Sequence, residues 1–156
     1  MPLAAIALGS NLPGRDGTRE ANLDGAVNAL LALGEVVAQS RWYDTAPEGY
    51  TGQPRFLNGA VVLETSLMSQ ELLRGLLRIE LAFGRDRSHG IAKGPRTLDL
   101  DLLLYDALQM DKPELVVPHP AMHTRRFVLE PLAEIAPDWV HPVLGKSMKE
   151  LLGRVS

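Results

Sequence analysis

Two aspartates, Asp99 and Asp101, stand in "GPRTLDLDLLLYD", a run otherwise suited to burial. Successive side chains along a strand point to opposite faces, which puts Leu98, Leu100, Leu102 and Leu104 on one side and Asp99, Asp101 and Leu103 on the other. The two carboxylates then share a face with Cα atoms about 6.5 to 7 Å apart, and they repel each other unless a cation lies beside them. The preceding stretch, "GRDRSHGIAKGPR" from Gly84 to Arg96, sets Arg85, Arg87, Lys93 and Arg96 against Asp86 alone, with three glycines, a proline and no apolar periodicity. Loops of this length inside compact domains are often lids or binding segments. Paired acids entered by a cationic loop suit a polyphosphate. Carboxylates unaccompanied by Cys or His prefer Mg²⁺ to Zn²⁺, and arginines can neutralise the remaining phosphate charge.

A second cue lies in "FLNGAVV", where Phe56, Asn58, Ala60 and Val62 share one strand face and Asn58 is the one amide among them. A buried Asn needs partners for its donors and its acceptor. Backbone groups can supply them; the functional alternative is the edge of a flat heterocycle packed on Phe56. Two further patterns are weaker. "LGKS" at 144–147 resembles the end of a phosphate-binding loop, but the first glycine of that pattern would fall on Val140, so the segment reads as a turn and helix cap. His119 and His123 have a spacing known from zinc sites, but Pro120 lies between them and no HExxH is present.

The elements that must position these residues follow from spacing. "LAAIAL" reads as a short buried strand. Thr18 caps a helix whose apolar residues are Leu23, Ala26, Val27, Leu30 and Leu31, closed by Gly34. "EVVAQSRWYDT" has strand character, residues 46–55 form a loop rich in Pro and Gly, and residues 56–65 form another strand. Ser69 caps a second helix, with Leu72, Leu76, Ile79 and Phe83 in helical register up to Gly84. The aspartate strand follows. Strand, helix, strand, strand, helix, strand predicts the α+β, ferredoxin-like (split βαβ) antiparallel sheet. The last third predicts a short "LVVP" strand, a helix over 126–135 and a final helix from Ser147; these extend the sheet and put helices on both of its faces.

Composition bounds the function. A chain of 156 residues suits one domain, taken as 1–156, with 46% hydrophobic and 22% charged residues. Its net charge of −3 gives no global field for nucleic acid or an anionic membrane. It has no cysteine, which fits a reducing compartment, and "LAAIAL" is too short for a membrane span, so cytoplasmic is the expectation.

Taken together, "GPRTLDLDLLLYD", "ALGSN", "FLNGAV" and "VPHPAMHTRRFVLEPLAEIAP" resemble the 6-hydroxymethyl-7,8-dihydropterin pyrophosphokinases of folate biosynthesis over nearly the whole chain. The resemblance implies a ferredoxin-like core and transfer of a pyrophosphoryl group from ATP to the pterin hydroxymethyl, releasing AMP. It implies that Asp99 and Asp101 hold two Mg²⁺ ions and that Arg85 and Arg96 are catalytic-loop arginines. Nucleotide-binding positions fall on Glu80, Arg87, Arg96, Leu102, His119 and Arg125. Pterin-binding positions fall on Thr45, Ala46, Glu48, Phe56, Asn58 and Phe127. The chain departs from the family pattern at Lys93, where some members carry tryptophan, at Phe56, where tyrosine is common, and at Ala46 and Glu48. The expected state is a monomer acting on small molecules. An ordinary γ-phosphoryl kinase or nucleotidyltransferase, and a ligand-sensing ferredoxin-like module, are the rival readings.

Overall fold

The computed structural model describes residues 1–11, 18–46, 55–84 and 98–155. The Pro/Gly loop over 47–54 and the cationic loop over 85–97 fall outside the described residues, and with them Glu48, Arg85, Arg87, Lys93 and Arg96.

The first strand, β1 (Leu3–Ser10), leads to α1 (Arg19–Leu30), whose first turn is closed by the Thr18 hydroxyl accepting from the Ala21 N–H at 3.0 Å. Leu23, Ala26 and Leu30 of α1 are buried, but Leu31 lies just past the helix and is 59% exposed, contrary to its predicted place on the apolar face. The next strand region is broken in two, β2 (Glu35–Gln39) and β3 (Tyr43–Thr45), and both pair with β4 (Phe56–Glu64). At the break Ser40 exchanges hydrogen bonds with Ala60 through its own N–H and its hydroxyl, holding the chain to β4 where the ladder lapses.

Helix α2 (Ser69–Ala82) begins at its predicted cap residue, one position earlier than expected. Met68 holds the cap position and Ser69 is already helical; the Glu71 carboxylate accepts from the Met68 N–H at 3.1 Å and does the capping instead. Leu72, Leu76 and Ile79 are buried, and the helix stops where Gly84 takes φ 89°, a conformation that costs glycine little. Strand β5 (Asp99–Tyr105) then lies along the far side of β1. The sheet order β2-β4-β1-β5, antiparallel throughout, is the ferredoxin-like arrangement that the element order predicts.

The last third departs from expectation. The predicted "LVVP" strand, β7 (Leu115–Val117), does not extend the sheet: it pairs with β6 (Met110–Lys112) as a separate hairpin, so its ladder is used within that hairpin. Helices α3 (Arg126–Ile135) and α4 (Met148–Leu152) cover the second face of the sheet, with α4 capped by Ser147 and Glu150 in a reciprocal pair at 3.1 and 3.0 Å.

Two cores result. Ala4, Ile6, Leu8, Leu57, Val61, Leu63, Leu100 and Leu102 pack beneath α1 and α2; Ala5, Ala60, Leu103, Leu104 and Met122 pack beneath α3 and α4. Leu104 is therefore on the opposite side from the simple alternation. The register of β5 against β1 slips between Ala5, opposite Leu104, and Ile6, opposite Leu102, and the extra residue, Leu103, turns Leu104 over.

Candidate active site

Register alone assembles the polar row. Asp99 lies opposite Gly9 of β1, Gly9 opposite Asn58 of β4, and Asn58 opposite Tyr43 of β3. Directly opposed residues share a face, so these four side-chain positions look toward α3. The neighbouring row runs Asp101, Ala7, Ala60. Between the carboxylates and the amide, β1 thus offers only Gly9 and Ala7. Two strand spacings separate Asp99 from Asn58, about 9.5 Å, and nothing larger than a methyl group stands in the gap. A Cβ at position 9 would come to 2.9 Å from Asn58 Oδ1, so any larger residue there would push the amide out of its place. Ala7, Gly9, Asn58, Asp99, Asp101, Phe127 and Val128 line a crevice of about 20 Å³, the room of a single water molecule. A flat ring enters only if Phe127 or its neighbours give way.

The site residues are held from behind. Glu80, 1% exposed on α2, accepts a hydrogen bond from the Leu100 N–H at 2.7 Å, which fixes β5 between its two aspartates. Leu102 lies in the core beneath α1 and α2, so its side chain is on the sheet face opposite Asp99 and Asp101. Asn58 is buried and donates to the Thr45 hydroxyl, not to a backbone group. Phe56 pairs with Thr45 across β3 and β4 and lies on the same face, and Ala46 ends that edge exposed. Below them Asp44 accepts from Arg55 at 2.7 Å, which joins the two described ends of the intervening loop and holds the Asp44 carboxyl below its ordinary range.

Phe127, in the first turn of α3, carries the Arg125 guanidinium 5.8 Å from its ring centre. His119 donates its backbone N–H to the Leu103 carbonyl at 2.9 Å, which brings the ring to the edge of β5. Burial, and then the Arg125 charge, push the His119 pKa below 6.5, with Asp99 pulling weakly the other way. Its Nδ1 accepts from the Ala121 N–H at 3.2 Å, which leaves Nε2 as the ring donor when the imidazole is neutral. His123 packs edge-on against His141 at 6.3 Å. Among the described residues no group of three or more His, Asp or Glu side chains is placed to hold a metal.

Of the predicted residues, the structure brings together Asp99, Asp101, Asn58, Thr45, Phe56, Phe127, His119 and Arg125. Reasoning from sequence passed over Tyr43, which completes the Asp99 row, and Gly9, whose lack of a side chain leaves the row open. "ALGSN" was the available signal for Gly9, and its Ser10 and Asn11 are both buried.

Three comparisons bear on what this arrangement is. The sequence model of the 7,8-dihydro-6-hydroxymethylpterin-pyrophosphokinase family matches residues 5–137. A Synechocystis 2-amino-4-hydroxy-6-hydroxymethyldihydropteridine pyrophosphokinase is 47% identical over 154 residues, covering 97% of this chain and 75% of the relative. A Pseudomonas aeruginosa enzyme of the same name is 46% identical over 149 residues, covering 94% and 88%. Among solved structures, Plasmodium falciparum HPPK-DHPS superimposes with a TM-score of 0.74 at 15% identity, a likeness of fold; 98% of this chain matches 44% of that longer one. The chain belongs to the 7,8-dihydro-6-hydroxymethylpterin-pyrophosphokinase family.

Proposed function

We propose that the crevice between β5 and β4 is where a dihydropterin meets the triphosphate of ATP, with Asp99 and Asp101 on the phosphate side and Asn58 on the ring side. The reaction is that of the family: pyrophosphate passes from ATP to the hydroxymethyl group of 6-hydroxymethyl-7,8-dihydropterin, giving AMP and the pterin pyrophosphate. One observation carries the residue assignment. Two carboxylates and one amide share a sheet face across a strand that contributes only Gly9 and Ala7.

The donor set fits Mg²⁺. Asp99 and Asp101 offer hard oxygen ligands, and two protein carboxylates with no third described acid or histidine leave coordination positions for phosphate oxygens and water. Two Mg²⁺ ions, when bound, would draw charge from the phosphate oxygens and set the triphosphate toward the acceptor hydroxyl. The rest falls to the chain. Asn58 presents its amide to the polar edge of the ring, with Thr45 fixing that amide, while Phe127 and Phe56 pack against the ring faces. Neutral His119 donates from Nε2 and Arg125 supplies positive charge on the nucleotide side, with Glu80 holding β5 between Asp99 and Asp101. Arg85, Arg87 and Arg96 meet the remaining phosphate charge. The acceptor hydroxyl gives up its proton to solvent as its oxygen bonds to the β-phosphorus, the bond from that phosphorus to the α–β bridging oxygen breaks, and AMP leaves with that oxygen. Arg85 and Arg96 would act on the charge that develops, so removing either slows the chemical step more than it weakens pterin binding.

On the same reading residues 1–156 form a single domain that works as a monomer in the cytoplasm. A sequence with no cysteine fits a reducing compartment. The test is metal removal. Pterin-dependent consumption of ATP should vanish in excess EDTA and return with Mg²⁺, and full turnover in EDTA would overturn the metal assignment.

A further inference from the structure

Edge strand β3 has only three residues, is separated from β2 by the break at 40–42, and pairs with β4 alone. It nevertheless carries Thr45, which holds the Asn58 amide. What else fixes it is a clasp to helix α3. The Tyr43 hydroxyl donates to Glu134 Oε1 at 2.6 Å, and Glu134 Oε2 accepts from the Arg41 N–H at 3.2 Å, at the break where the ladder has lapsed. The Arg41 guanidinium closes over the Tyr43 ring at 4.8 Å, with its Nε 3.8 Å from the same carboxylate. Glu134 is seven residues after Phe127, two helical turns or about 10.5 Å along α3. The clasp therefore ties the strand that bears Thr45 to the helix that bears Phe127.

We propose that Tyr43 and Glu134 are positioning residues for the pterin: they set the separation between the Thr45–Asn58 edge and Phe127, and with it the width of the slot a flat ring must enter. This rests on the reading of the crevice as the pterin site. Neither side chain lines the crevice, so both act through Thr45, Asn58 and Phe127. The asymmetry of the arrangement predicts an asymmetric effect. The clasp borders the ring side of the site, while the carboxylates lie three strand spacings away on β5, so the nucleotide side is left alone. Burial first, and the Glu134 hydrogen bond next, raise the Tyr43 pKa above 10, so the phenol is a donor throughout any ordinary assay.

The test is steady-state kinetics with both substrates varied, alongside thermal melting, for the wild type, Tyr43→Phe, Glu134→Ala, Glu134→Gln and the double variant Tyr43→Phe with Glu134→Ala. Tyr43→Phe and Glu134→Ala should each raise the pterin KM about fivefold, the effect of losing about 1 kcal/mol, with the KM for ATP within twofold of wild type. Glu134→Gln keeps an acceptor for the phenol and should recover most of the pterin KM. The double variant should be no worse than Glu134→Ala, because both changes remove one interaction. A lowered melting temperature with an unchanged pterin KM, or equal rises in both KM values, would show a staple of the fold and overturn the proposal. A wild-type chain with no pterin-dependent turnover would overturn the reading of the crevice and the proposal together.

Discussion

The two faces of one sheet are built from the same strands and do different work. Beneath α1 and α2 the packing is apolar from Ala4 to Leu8 along β1 and from Leu98, just before β5, to Leu102 within it. Beneath α3 and α4 it is apolar only around Ala5, Leu103 and Leu104, and gives way to Asp101, Asp99 and Asn58 toward the other end. A single register separates the two roles. A slip of one residue in β5 would carry both aspartates into the core beneath α1 and α2 and bring Leu100 and Leu102 out. The apolar face therefore does more than stabilise: by fixing register it determines that the carboxylates emerge together on the opposite side.

The largest effect that tests this division is on the chemical face. Asp99→Asn or Asp101→Asn should lower turnover by about a thousandfold or more, since each removes a charged ligand from the proposed metal pair, while the melting temperature stays within about 3 °C of wild type. Near-normal turnover at moderate Mg²⁺ would break the comparison at its centre. The reverse signature belongs to the other face. Leu76→Ala, at a fully buried position on α2, should cost about 2 to 5 kcal/mol of stability and leave kcat of the folded fraction unchanged. A selective loss of turnover there would mean that the apolar face is not separable from the chemistry.

An intermediate effect sharpens the boundary between ring side and phosphate side. Asn58→Ala should raise the pterin KM about tenfold, the order expected for a lost hydrogen-bonding amide, with little change in the KM for ATP. Equal rises in both would place Asn58 in the framework alone.

The smallest effect is on acid stability and concerns the segment that builds the second face. His141 Nδ1 accepts from the backbone N–H groups of Val143 and Leu144 at 3.2 and 3.1 Å, and burial, then His123, push its pKa below 6.5. The unfolded chain takes up the proton near the ordinary value while the native chain resists it. Native stability is therefore full above 6.5 and falls as pH drops below it. His119 adds to the loss with the same sign. Melting curves at pH 7.5 and 5.5 should show a drop on acidification that is a degree or two smaller in His141→Asn, which keeps an acceptor in place of Nδ1. An equal drop in both would remove His141 from the account.

Local patterns were legible in the sequence and long-range ones were not. Thr18 and Ser147 cap helices where their hydroxyls can reach a backbone N–H three residues on, and Leu72, Leu76 and Ile79 lie on one face because helical period places them there. The Asp99 and Asp101 pairing followed from the pleat. The bulge at Leu103 did not, because it depends on register against β1 and leaves no mark in "LDLLLY". Nor did the hairpin of β6 and β7, whose partner is each other, not the sheet edge. Glu71 capped α2 where Ser69 was expected, because Ser69 is already helical with its hydroxyl turned to Gln70 while the Glu71 carboxylate reaches back to the Met68 N–H. Glu80 to Leu100 and Tyr43 to Glu134 join residues 20 and 91 apart in sequence, and only the folded topology brings them within hydrogen-bonding distance.

The central claim is that the carboxylates of one face deliver a pyrophosphoryl group to a pterin held on that same face. The most direct measurement is the nucleotide formed from ATP and Mg²⁺ with 6-hydroxymethyl-7,8-dihydropterin, resolved by chromatography. Attack at the β-phosphorus leaves AMP, in one-to-one ratio with a pterin pyrophosphate, and guanosine should give essentially no product because its hydroxyl is differently placed. ADP as the main pterin-dependent product would instead show γ-phosphoryl transfer and contradict the account.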